Sequence, residues 1–382
     1  MIRYCQQGEL PQKKHIQNVK DGCHLWEEMV STSGFKGIYS TKYHRNYPPA
    51  IEDIQEVKLN NDKLVKDTIL SPIHILPKQG LSGDFISSRC LLLKNDDLSV
   101  SMLHPNTNLN GVYKNAHASE LYFIHKGHGI IKTEYGVLNF KEGDYIYIPK
   151  TIIYTFDLKS KENKWLLLES RSALTIPQEF KNDSGQILDH APYSERDFKL
   201  PVLRSENDDK VPLYIKTQEK LLCYEIPHHP FDVIAWDGYF YPIVFSIYDY
   251  SPIVGKLHQP PSVHKVFENE NCMITNFVPR LCDFHSEAIP IPYFHSNIDC
   301  EEILYYFKGE FMSRKGIREG SITLHPSGIP HGPQPGKIEA SLGLKEVDEY
   351  AVMIDTFNPV YMTEKAIDWS DRDYFKSWNK AT

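Results

Sequence analysis

The chain contains no CxxC pair, no block of basic residues and no apolar run near the ~18 residues that a membrane-crossing helix needs. Its seven cysteines, Cys5, Cys23, Cys90, Cys223, Cys272, Cys282 and Cys300, are odd in number and irregularly spaced. That pattern excludes a disulfide framework or zinc ribbon and fits free thiols in a reducing compartment. Fifty acidic residues against 42 basic ones leave a net charge of −8, which argues against nucleic acid or an anionic membrane as a partner. The opening MIRYCQQGELPQKKH lacks the apolar core of a secretion signal, so a cytoplasmic protein is expected. GxGxxG, P-loop and GxSxG patterns are also missing, which removes the usual phosphate cradles and the serine elbow.

What is present is aromatic and turn-rich. The 382 residues include 23 Tyr, 18 Phe, 25 Pro and 21 Gly, enough chain for two domains with a sizeable core. Helical periodicity is poor. Short β-branched or aromatic runs bounded by turns are frequent: LYFIH (121–125), GIIKTEY (129–135), DYIYIP (144–149), WLLLES (165–170), ILYYF (303–307), SITLHP (321–326) and EYAVMIDTF (349–357). This texture predicts an all-β sandwich or barrel.

A repeat sharpens the prediction. Glu120 precedes Gly127 by seven residues, as Glu302 precedes Gly309. Gly143 precedes Pro149 by six, as Gly320 precedes Pro326. The copies are offset by 182 residues at the first pair and 177 at the second, as expected for one duplicated unit with a shorter loop in its second copy.

The repeat resembles the two cupin motifs, G-x5-H-x-H-x3-4-E-x6-G and G-x5-P-x-G-x2-H-x3-N. In the second copy His295, Glu302 and Gly309 match the first motif, and Gly320, Pro326, Gly328 and His331 match the second. Ile289, Asn297 and Pro335 stand at the motifs' leading glycine, second histidine and final asparagine. The first copy keeps Glu120 but has Tyr154 at the second-motif histidine and Tyr113 or Lys114 at the first. The resemblance implies two cupin β-sandwich units, the N-terminal one degenerate and metal-free. We expect residues 1–100 to pack on the outside, 101–220 to form the first cupin and 221–382 the second.

Two imidazoles and one carboxylate from His295, Glu302 and His331 are the donor set suited to non-haem Fe(II) that keeps open positions for substrate and dioxygen. Glu301 competes with Glu302; the spacing to Gly309 selects Glu302, and strand alternation sends Glu301 to the other face. Read as a strand, 295–297 puts Asn297 on the face of His295, as a weak ligand or an orienting partner.

HPFDVIAWDGYFYP (229–242), LHQPPSVHKVF (257–267), FVPR (277–280), PYFHSN (292–297) and LHPSGIPHGP (324–333) resemble the homogentisate 1,2-dioxygenase family in its compact bacterial form. The likeness is strong over 229–335 and traceable over 100–170. It implies that His295, Glu302 and His331 hold iron, that His258 accepts a phenolic proton, and that His325 and His331 border the substrate. On local sequence His258 reads equally as a turn histidine before Pro260-Pro261. Phe311 stands where the family has a substrate-binding tyrosine. Arg314 stands near its lysine, either to hold a ring-attached carboxylate or as a solvated turn charge. The implied reaction is Fe(II)-dependent ring opening of homogentisate by O2 to maleylacetoacetate, in tyrosine and phenylalanine breakdown. The implied assembly is a trimer or dimer of trimers. The rival readings are a cupin dioxygenase for another dihydroxy- or amino-aromatic acid, and a non-catalytic metal-binding bicupin.

Overall fold

The computed structural model describes residues 2–59, 62–78, 80–204, 209–218 and 220–379. Among the described residues it is built from strands, with two five-residue α-helices, Lys337–Ser341 and Glu364–Asp368. Every strand run predicted from the sequence falls on an observed strand.

Three large sheets form layers. The middle one has nine strands and includes Asp144–Ile148, Ser119–Lys126, Lys164–Ser170 and Leu98–Leu103. On one side a seven-stranded sheet carrying Val112–Asn115 and Ile153–Leu158 closes the first barrel. Its Phe156 meets Tyr122 and Trp165 of the middle sheet at 5.2 and 4.8 Å. On the other side lies the seven-stranded sheet of the second unit, with Glu301–Gly309 between Ile322–His325 and Glu349–Thr356. Phe123 and Phe307 join these two sheets edge-to-face at 4.9 Å. A middle sheet covered on both faces buries side chains of both parities, which is why DYIYI is buried throughout, with Asp144 paired to Lys199.

Strand Glu301–Gly309 sorts its residues by parity. Ile303, Tyr305 and Phe307 belong to the main core, whereas Leu304 and Tyr306 join a separate cluster with Met353 and Phe311. Gly309 ends the strand at φ +99°, where a Cβ would strike the Asp348 carbonyl oxygen; this is the physical content of the E-x6-G spacing.

The expected domain bounds need correction. Part of residues 1–100 joins the large sheets instead of lying outside them: Ile73–Ile75 pairs with Ile322–His325, Arg89–Lys94 pairs with Leu98–Leu103, and Asp53–Val57 pairs with Leu221–Glu225. Sheet edges present unpaired backbone groups, and these segments satisfy them. The division at 220/221 also fails, because Ile243–Ser246 pairs with Asp144–Ile148 of the first barrel. Near the other end Tyr361–Thr363 returns to pair with Arg89–Lys94.

In the first barrel, Glu120 is held by tyrosine hydroxyls and a cation. Glu120 accepts hydrogen bonds from Tyr154 (2.6 Å) and Tyr113 (3.3 Å), and Tyr122 and Tyr154 share a 2.7 Å hydrogen bond. Arg89 lies 3.0 Å from Glu120 and 3.3 Å from Glu169, with Lys216 against Glu169. The glutamate that the repeat preserves therefore meets a fixed guanidinium. Removing one partner of a buried ion pair leaves an uncompensated charge, so Arg89→Met should lose about 3–5 kcal/mol of stability. Denaturant unfolding measures this; an unchanged midpoint would show that the network adds nothing.

Candidate metal centre

The three predicted ligands come together. His295 arrives on irregular chain, Glu302 on the central strand of the second unit, and His331 just beyond Ile322–His325. A reciprocal backbone bridge locks the histidines: each amide donates to the other's carbonyl at 2.9 Å. Their rings lie 4.3 Å apart between centroids. His295 Nε2 is 3.5 Å from Glu302 Oε2, and His331 Nε2 is 3.7 Å from Glu302 Oε1. All three donor atoms lie within 4.8 Å of one another. Ligand atoms about 2.1 Å from a divalent ion sit about 3–4 Å apart, so this spacing suits one ion.

The proton inventory fits as well. His331 Nδ1 lies 2.9 Å from the Ile329 carbonyl, which can only accept, so that nitrogen carries the hydrogen. Its Nε2 is buried and has no hydrogen-bond partner among the described residues. A buried lone pair facing a carboxylate and a second imidazole is an arrangement that suits a metal ligand.

His325 lies opposite Glu302 in the strand ladder, and its Nδ1 is 2.7 Å from Glu302 Oε1. Burial pushes His325 down to about 4, outweighing the upward pull of Glu302, so a neutral ring donates to the carboxylate. Burial works to raise the Glu302 carboxyl, yet the three imidazoles around it, His325 through a 2.7 Å hydrogen bond, hold it well below the ordinary range. Asp355 faces Glu302 on the other neighbouring strand, and burial followed by the Glu302 charge raises it to about 8. Burial and the Glu302 charge thus both disfavour a second negative carboxylate at this place. Sequence reasoning missed Asp355; an acid inside the apolar run AVMID was its signal.

His258 stands on the more open side. Its ring is 5.4 Å from Tyr293, which is 6.0 Å from His295, and Asp283 Oδ2 lies 3.9 Å from its Nδ1. Glu302 and His331 are buried, while the His295 side chain is 37% exposed, so this side offers the approach to the donors. Phe311 packs edge-to-face on Tyr306 at 4.8 Å. Arg314 is not a solvated turn charge: it is 6% exposed and donates to the Gly332 carbonyl at 2.6 Å. Asn297 does not lie on a strand with His295, so the alternation expected there does not apply; its main-chain carbonyl accepts from Gly328. Trp378, 6.4 Å from His325, carried no signal in the sequence.

Fold and donors together define a bicupin with a candidate metal centre in its second unit and a polar replacement in its first. Two family models, homogentisate 1,2-dioxygenase N-terminal and C-terminal, match residues 79–248 and 252–382. The chain belongs to the homogentisate 1,2-dioxygenase family, and so to the ring-cleaving dioxygenases. It is 40% identical, over 99% of both chains, to a Saccharolobus solfataricus protein whose dioxygenase designation is provisional. It is 30% identical to the homogentisate 1,2-dioxygenase of Legionella pneumophila over 72% of this chain and 68% of that one. A cupin barrel protein from Leptotrichia buccalis aligns with 77% of this chain and 100% of its own at TM-score 0.35 and 10% identity.

Proposed function

We propose that this protein is an Fe(II)-dependent dioxygenase that opens the ring of homogentisate, giving maleylacetoacetate, within tyrosine and phenylalanine breakdown. The carrying observation is the His295–Glu302–His331 donor set around the unpartnered Nε2 of His331. Iron held by those residues would bring the aromatic acid and O2 onto one ion. The chain's own groups do the rest. Glu302 offsets part of the metal charge, His325 orients Glu302, and His258 takes a phenolic proton, with Asp283 beside its ring. His325 and His331 border the substrate in this reading. Phe311 supplies an apolar wall where a tyrosine hydroxyl would bind, which favours a related dihydroxy- or amino-aromatic acid as the second reading.

Among the described residues no helix is long and apolar enough to cross a membrane, which is compatible with the cytoplasmic location we propose. A homo-oligomer also belongs to the proposal; exposed Leu281, Phe284, Phe294 and Ile298 offer apolar surface near the His295 segment.

The test is oxygen uptake by protein purified under reducing, anaerobic conditions and supplied with Fe(II). Uptake should be fastest with homogentisate, yielding maleylacetoacetate. Faster uptake with gentisate or an aminophenol would establish the second reading; no uptake with any of them would leave a metal-binding bicupin. Phe311→Tyr should lower KM for homogentisate about fivefold, the worth of one hydrogen bond of ~1 kcal/mol. An unchanged KM would show that position 311 does not meet the substrate.

A further inference from the structure

Arg314 touches the supports of two of the three candidate ligands at once. One guanidinium nitrogen donates to the Gly332 carbonyl at 2.6 Å, on the residue after His331. The other lies 3.4 Å from His325 Nε2. Arginine has donors only, so His325 Nε2 must accept and the ring hydrogen must sit on Nδ1. That is the nitrogen 2.7 Å from Glu302 Oε1. The hydrogen bonds therefore run in one direction, from Arg314 through His325 to Glu302, with a second arm reaching the His331 side. Without the guanidinium, the buried Nε2 of His325 loses this donor, and Glu302 alone is left to hold the ring hydrogen on Nδ1 and the ring in place.

The brace is itself held. The guanidinium lies 5.5 Å from the Trp378 ring centre, and Trp378 Nε1 donates to the same Gly332 carbonyl at 3.0 Å. Gln334, two residues beyond Gly332, bonds Ser377 on the Trp378 segment at 2.6 Å and also accepts from the Lys315 amide. Arg314 is thus backed by the Trp378 segment, which contributes no ligand. A ring-attached carboxylate would have to compete with these contacts.

We propose that Arg314 is a positioning residue: it fixes the His325 tautomer and the His331 backbone so that Glu302 and His331 are aligned before the metal arrives. This rests on the metal centre proposed above. A lysine ammonium at the same place can reach one acceptor well but cannot span both in a planar fork.

Co(II) serves as a probe whose visible bands report coordination geometry. Affinity and spectrum are measured without substrate on the parent, Arg314→Met, Arg314→Lys and Glu302→Ala. Arg314→Met should bind Co(II) about 10–100-fold more weakly, the usual cost of losing an outer partner of a ligand, with shifted bands. Arg314→Lys should recover part of the affinity and not the parent spectrum. Parent affinity and parent bands in Arg314→Lys would overturn the two-armed brace, whether or not Arg314→Met folds. Parent binding in Arg314→Met, with only KM for the aromatic acid raised, would assign Arg314 to the substrate instead. Glu302→Ala separates the premises: if it too binds Co(II) normally, the centre lies elsewhere and the brace falls with it.

Discussion

Glu302→Ala should leave the purified protein with background iron and no dioxygenase activity. Glu302 is the carboxylate on which His295, His325 and His331 converge, at 3.5, 2.7 and 3.7 Å. Removing it takes away the anionic donor and releases His325 from its acceptor. The loss should exceed the ~10–100-fold typical of disturbing an outer partner, since a direct ligand disappears. Asp355 is no ready substitute. Burial raises its carboxyl and disfavours the charged form that a metal needs, and it lies on the neighbouring strand. Glu301→Ala is the matched control. Its Oε2 accepts from the Val360 amide at 2.8 Å, on the opposite face of the strand. It should keep its iron and lose about 1–3 kcal/mol of stability through the unsatisfied buried amide. Metal analysis decides: normal iron in Glu302→Ala would remove Glu302 from the ligand set, as would iron loss confined to Glu301→Ala.

The contrast between those two glutamates also marks how far the sequence can be read. Glu301 and Glu302 differ only in parity, and the fixed distance to Gly309 resolves parity because the glycine is pinned by its left-handed backbone. Strand content is legible for the same reason: two-residue alternation and turn residues are local signals. The proton pattern at His331 is not, since the Ile329 carbonyl that sets it is placed by a turn. Arg314 reads in the sequence as a solvated or substrate-facing charge because its partners, Gly332, His325 and Trp378, are 18, 11 and 64 residues away. Residues 1–100 read as an outer layer for a related reason. Short runs such as IHI (73–75) look like loop until an edge 247 residues later offers them a partner, as His74 finds at Thr323 and Ser321. The lost ligands of the first barrel are visible in Tyr154, but the Arg89 that neutralises Glu120 is not.

His258→Ala is expected to retain iron and lose turnover by about 10²–10⁴-fold, the usual worth of a positioned proton acceptor. The ring reaches His295 only by way of Tyr293, so its removal should leave the three donors in place. Its acid–base behaviour can be tested independently of its presence. Burial pushes His258 below its ordinary 6.5; Asp283 pulls it up and Arg280 pushes it down. An acceptor must be neutral, so the acid limb of kcat/KM should fall below pH 6.5. Asp283→Asn removes the upward pull and should move that limb to lower pH. Arg280→Gln removes a downward push and should move it to higher pH. Opposite displacements from two neighbours of one ring would tie the limb to His258, because no ligand change predicts both signs. A limb that stays in place in both variants, or a fully active His258→Ala, would return His258 to the role of a turn residue before Pro260-Pro261 and put the proton acceptor elsewhere.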